Sequence, residues 1–257
     1  MLSEWLQINR LSLNVGKTRY MIFRNTQRNM KKYELLQLKL EGEPIKSTAT
    51  FNFLGLQINE LLNWNDHTTY LHSKISPVIG MIGRLKHLLP TNILKMIYNS
   101  LILSRYHYAN IVWGDNPGSL IKLNKKAVRL LVDAGINTHS NPIEKKLNLL
   151  SLPDVHQVKL LCFFKKLMDN KLPNYLSAMF TVNINTNLPM NTKLPRTTKF
   201  RNTLRYKLPL YLENAPPNIL EGVEKISYNT FKDNAKKYII ERYASLCTKM
   251  GCRACHA

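Results

Sequence analysis

The chain has 257 residues, enough for one large domain or two small ones, and its 44% hydrophobic content is that of an ordinary globular protein, which excludes wholesale disorder and a membrane-embedded bundle. Charge is the outlying property: 37 Lys and Arg against 16 Asp and Glu leave +21, an excess that repels itself unless a polyanion neutralises it, so nucleic acid is the expected partner and a membrane surface the weaker alternative. No apolar run reaches the roughly 18 to 20 residues of a spanning helix, no secretory leader is legible, and Cys162, Cys247, Cys252 and Cys255 are too few for a disulfide framework, so the expected location is intracellular, nucleus or cytoplasm.

In chain order, residues 1–62 read as α+β. Ser3 is placed to cap a short helix in SEWLQ, Arg19 to Phe23 and the alternating Leu36, Leu38 and Leu40 are strand-like, and the GEP turn at 42–44 lets Ile45 pair back. FNFLGLQI supplies a further apolar strand, so a small antiparallel sheet is expected. From Asn63 the period becomes helical. Residues 66–89 form an amphipathic stretch with Pro77 as an expected kink, and Pro90 starts the next helix, with Leu94, Ile97 and Leu101 on one face. Helices from about Leu120 to Val132 and from Val155 to Met168 follow, the second closed by Pro173. Residues 181–217 are rich in Asn, Thr and Pro and carry Lys193, Arg196, Lys199, Arg201, Arg205 and Lys207 with no acid between them, the pattern of an extended basic segment. A last helix, about Thr230 to Leu246, turns Phe231, Ala235, Tyr238 and Ile239 inward and leaves Lys232, Lys236 and Lys237 to solvent. The expected fold class is α+β, mostly α: a sheet-bearing part at 1–62, a helical region at 63–180, the basic segment at 181–217, and a C-terminal helix with a cysteine-bearing tail at 218–257.

The helix near Leu120 carries two separable faces. Leu120, Leu123, Ala127, Leu130 and Leu131 line one side, while Lys122, Lys125, Lys126 and Arg129 recur at i, i+3, i+4 and i+7 on another. Like charges at that spacing repel by a few tenths of a kcal/mol per pair, and a phosphate backbone would reverse the penalty. A solvated basic face is the bland alternative. Tyr98, Tyr106, Tyr108 and Trp113 interleave with basic residues and could stack on bases, although core packing at helical spacing accounts for them better. The segment GKT at 16–18 is not a phosphate-binding P-loop, because the glycine required upstream is replaced by Leu11. Cys247, Cys252, Cys255 and His256 are ligand types that zinc accepts, but Cys255 and His256 are adjacent and the spacing matches no common knuckle, so no structural zinc is expected.

Four blocks, in order, resemble a known family. WLQINRLSLNVGKTRYMIF at 5–23 resembles the end of the palm in reverse transcriptases of non-LTR retrotransposons, jockey-like and related elements. FNFLGLQIN with LNWNDH at 51–67 is similar to the following primer-grip hairpin. RLKHLLP, IYNSLILSRYHYANIVWG and KLNKKAVRLL resemble the region beyond the palm, and LNLLSLPDVHQVKLLCFFKKLMDNKLP with TFKDNAKKYI the usual tail.

The resemblance implies a palm remnant, a helical thumb and C-terminal helices from an RNA-directed DNA polymerase. It puts Lys17 where the family holds a lysine near the incoming nucleotide, here as a phosphate contact, and Phe53, Leu54 and Gly55 at the turn that presses on the primer; the last three also read as a buried strand with a glycine bulge. Nucleotidyl transfer needs clustered carboxylates that bind two metal ions, magnesium in the intact relative. No Asp-Asp pair occurs in the sequence, so the chain is expected to bind RNA, DNA or an RNA–DNA hybrid without polymerising and without a cofactor of its own. The alternative expectation is a non-catalytic, basic nucleic-acid-binding protein.

Overall fold

The structure is a computed structural model; it describes residues 2–12, 14–24, 37–40, 42–180, 197–215, 217–220 and 223–245. It is mostly helical, with strands only in pairs, and it divides into two compact units, Met1–Tyr70 and Leu71–Ala257. No helix among the described residues is long and apolar enough to cross a membrane.

The first unit opens with α1 (Leu2–Ile8), which begins one residue ahead of the expected cap at Ser3. Its strands are β1 (Arg19–Tyr20), β2 (Lys39–Leu40), β3 (Glu43–Pro44), β4 (Lys46–Ser47), β5 (Thr50–Phe53) and β6 (Leu56–Asn59). The single antiparallel sheet expected from the sequence is instead three separate pairs: β2 with β3 and β5 with β6 run antiparallel, and β1 with β4 runs parallel. Two-residue strands carry too little alternation to reveal a partner or a direction. Gly42, at φ +84, makes the β2–β3 turn, and the Ile45 amide donates to the Leu38 carbonyl at 2.9 Å, so the chain pairs back as the GEP motif required.

A polar clasp joins β6 to the start of α2 (Asn65–Leu85). Asn59 Nδ2 donates to Asn63 Oδ1 at 2.8 Å and to Asp66 Oδ2 at 2.9 Å, and Asn59 Oδ1 accepts from the Asn63 amide at 3.1 Å. Pro77 lies inside α2, as the sequence indicated.

In the second unit, Leu71, Ile75, Ile79 and Ile82 form the buried face of α2. Then come α3 (Thr91–Tyr98), a π-helical turn at Asn99–Leu103, α4 (Ser104–His107), α5 (Asn110–Trp113), α6 (Leu120–Leu131), α7 (Ser140–Lys146) and α8 (Leu152–Met168). The expected face Leu94, Ile97, Leu101 is replaced by Leu94, Tyr98, Ile102 and Tyr106, and Leu101 is exposed. Leu94 and Tyr98 share a face as i and i+4 in α3, and the wider period of the π turn carries the same four-residue step on to Ile102.

Helix α8 is the organising element. Ser151 caps it, accepting from the Asp154 amide at 3.4 Å, and its buried residues face every direction, the mark of a helix enclosed by others. One apolar cluster joins Leu160, Leu161, Phe164 and Leu167 to α11 (Leu204–Glu213) through Leu208 and Leu212, and to α13 (Tyr228–Glu241) through Phe231 and Ala235. A second joins Val155, Val158 and Cys162 to Ile239, Ile240 and Tyr243. The short helices α9 (Asn174–Ser177), α10 (Thr198–Arg201) and α12 (Pro217–Leu220) lie between these elements in the chain, and Arg242–Ser245 is a final 3-10 turn.

The extended reading of 181–217 is corrected where the chain is described. Leu204–Glu213 is helical because Leu204, Leu208 and Leu212 recur at four-residue spacing and bury against α8. The last helix starts at Tyr228 rather than Thr230, capped by Ser227, whose Oγ accepts from the Thr230 amide at 3.2 Å. Phe231, Ala235 and Ile239 point inward as expected, Tyr238 is only half-buried, and Lys236 is half-buried rather than free.

Candidate nucleic-acid interface

Helix α6 carries the main candidate surface. Its apolar side is held in place by Leu120, Ala127, Val128 and Leu131, all buried, while Leu123 and Leu130 are half-buried. The inward face is therefore centred toward Asn124 and Val128, rotated from the expected leucine stripe. Asn124 belongs to that face by spacing, and its burial is satisfied because Oδ1 accepts from the buried Tyr98 hydroxyl at 2.7 Å.

On the opposite side Lys122, Lys125 and Lys126 are exposed and make no ion pair among the described residues. Arg129 departs from the expected stripe. It is half-buried, and its Nε donates to the Thr138 carbonyl at 2.6 Å, so it fastens the loop that returns from α6. The exposed cations of this helix thus number three.

Beneath this helix lies a feature that the sequence did not flag. Glu144 on α7 is fully buried, and neither carboxyl oxygen has a hydrogen-bond partner. Burial first, and the nearby Asp154 second, push its carboxyl up to about 7, while Lys125 and Arg129 of α6 pull the other way. Asp154 itself is well provided: Tyr243 Oη donates to its Oδ2 at 2.6 Å, and the Ser151 amide donates to Tyr243 Oη at 2.8 Å.

In the first unit, Lys17 ends a turn built by Asn14. The Lys17 amide donates to Asn14 Oδ1 at 3.0 Å, and Arg19 Nη1 donates to the Gly16 and Thr18 carbonyls at 2.7 and 2.8 Å, leaving the Lys17 side chain in solvent. Phe53, Leu54 and Gly55 do not form a buried strand. Leu54 and Gly55 are the two-residue tip of the β5–β6 hairpin, at φ +48 and +80, and Phe53 and Leu54 are 54% and 74% exposed. A leucine in left-handed backbone is strained by about 1 to 2 kcal/mol, so this tip presents an apolar side chain at a position where asparagine or glycine fits better.

The remaining basic candidates fare differently. Arg201 is exposed on α10, which also contains Lys199. Lys207 is engaged with Asp115, Nζ to Oδ2 at 2.5 Å. Lys193 and Arg196 lie outside the described residues, as do Cys247, Cys252, Cys255 and His256. Among the described residues no group of three or more His, Cys, Asp or Glu could hold a metal ion.

The aromatic residues of 98–113 divide. Tyr98, Tyr106 and Trp113 are core, with Trp113 Nε1 donating to the Tyr108 carbonyl at 2.9 Å, and Tyr108 is exposed. His156 on α8 is buried as well. Its Nδ1 lies 3.2 Å from the Asn110 carbonyl, and burial lowers its basicity.

Comparison of the chain with family models, curated proteins and solved structures gives no match.

Proposed function

We propose that this chain is a nucleic-acid-gripping part of a non-LTR retrotransposon reverse transcriptase, an RNA-directed DNA polymerase, and that by itself it binds RNA, DNA or their hybrid without extending a primer. The observation that carries the binding half is the row of Lys122, Lys125 and Lys126, exposed on α6 in a chain of net charge +21. The four ordered sequence blocks support the family. The palm and thumb assignments, and the contacts of Lys17 with phosphate and of Phe53, Leu54 and Gly55 with the primer, rest on that resemblance.

Magnesium has no step in this account. The two-metal reaction needs clustered carboxylates, the sequence has no Asp-Asp pair, and the buried acid Glu144 faces protein rather than solvent. That same lack favours the second reading, a basic nucleic-acid-binding protein with no catalytic role. Incubated with a primed RNA template, deoxynucleotides and magnesium, the purified chain is expected to shift the primer–template in a gel and to leave the primer unextended. Extension that survives further purification would overturn the non-catalytic part, and absence of any shift at low salt would overturn the proposal as a whole.

A further inference from the structure

The seam between α8 and α13 collects cations that sequence order does not associate. Phe231 and Ala235 of α13 are fixed against Leu160, Leu161 and Phe164 of α8, and Ile239 and Ile240 against Val155, Val158 and Cys162. The rim of that seam carries Lys159 and Lys166 from α8 and Lys232 and Lys236 from α13. Lys159 and Lys236 are half-buried, Lys166 and Lys232 exposed. Lys166 reaches across, its Nζ 5.4 Å from the centroid of the Tyr228 ring in the first turn of α13. His107 comes to the same place from α4, which packs on α8, and Lys95 from α3 acts on Lys236. Asp233 is the carboxylate that partly offsets Lys236.

The charges feel one another. Burial, then Lys159, Lys232 and Lys236 together, pushes the His107 imidazole down to about 4, and the amines of Lys159 and Lys236 are lowered by burial first and by neighbouring lysines after it. The apolar seam beneath fixes the two helices and so holds the backbone positions of the four lysines close together. A solvated basic face spreads its charges, whereas this arrangement gathers Lys159, Lys232 and Lys236 from two helices around one half-buried imidazole, with Lys166 acting on Lys159 beside them.

We infer that Lys159, Lys166, Lys232 and Lys236, with His107 among them, form a phosphate-binding site on the α8–α13 seam, distinct from the α6 stripe. Phosphate oxygens supply the negative charge that the cluster lacks, and His107 gains a proton as they arrive. The source of phosphate is the backbone of RNA or DNA if the proposed function holds, and the site rests on that reading for its source alone.

His107 is the reporter. Its ring signal, assigned by its disappearance in His107→Gln, is titrated by NMR in the full chain alone, with inorganic pyrophosphate, and with a short single-stranded RNA. Its midpoint is expected to rise by about one unit or more with either probe. In the combined Lys159→Gln, Lys232→Gln and Lys236→Gln variant, the probes should move it no further. Response to pyrophosphate without any RNA binding would keep the site and overturn the proposed function. RNA binding that leaves His107 unmoved by either probe would overturn the site and keep the proposed function. A shift that persists in the triple variant would overturn the site as well, since the proton would then report binding elsewhere.

Discussion

Raising the pH from about 5 to about 8 is expected to weaken the fold by about 2.5 kcal/mol through Glu144 alone. The carboxyl is buried on α7 without a hydrogen-bond partner, and its folded-state value stands at about 7 against an ordinary 4.5. The native state therefore holds the proton more tightly than the unfolded chain does. Its stabilising contribution is fully present below the unfolded value and is lost as pH rises toward and through the folded one. Above that, an anion sits in the interior with only Lys125 and Arg129 acting to offset it. Glu144→Gln removes the titration while keeping nearly the same volume. Urea unfolding of parent and variant across this range is expected to give a falling curve for the parent and a flatter one for the variant. His107 and His156, whose values are lowered, act in the opposite sense in both proteins, so the difference between the two curves isolates Glu144. Parallel curves would show that the carboxyl is solvated or paired.

Replacing Lys122, Lys125 and Lys126 together by Gln is expected to flatten the salt dependence of nucleic-acid affinity by about 2 to 3 units of slope. Each phosphate neutralised by a lysine releases condensed counterions, at about 0.7 to 0.9 per contact, and the effect should be similar on RNA and on hybrid because backbone contacts read no sequence. Arg129 is left out of the substitution because it holds the Thr138 carbonyl, and removing it would disturb the loop after α6. The buried side of the helix is untouched, so thermal unfolding should match the parent at about pH 5, where Glu144 holds its proton and the loss of Lys125 leaves no anion without its offset. A folded variant with the parent's slope would free α6 from any role in binding and leave, among the described residues, Lys17, the α8–α13 seam and the Arg201 region as candidate surfaces.

Much of α6 was legible from spacing, because a surface helix on a core must repeat its apolar side near every 3.6 residues, and Leu120, Ala127 and Leu131 do so. The lysines opposite were legible from their own spacing at i, i+3 and i+4. Asn124 shares the spacing of the buried face and was missed because its polarity, rather than its position, was read. Arg129 could not be foreseen, since its acceptor Thr138 lies in an irregular loop. The shift from Leu101 to Ile102 came from a π turn, which leaves no compositional mark in NSLIL. Glu144 sits in a seven-residue helix, too short to show a period, and its burial is decided by neighbours distant in sequence. The cations of the seam converge only because α13 folds back along α8. Each lysine taken alone reads as an ordinary solvated residue.

The central claim, that this chain grips nucleic acid through α6, is tested most directly by lysine footprinting. The chain is acetylated briefly with and without a saturating RNA–DNA hybrid, and the modified residues are quantified by mass spectrometry. Lys122, Lys125 and Lys126 should be several-fold less reactive in the complex, with Lys171, which is exposed and paired to Asp169 at 3.3 Å, serving as the reference. Unchanged reactivity at all three lysines, in a sample whose hybrid is demonstrably bound, would contradict the account.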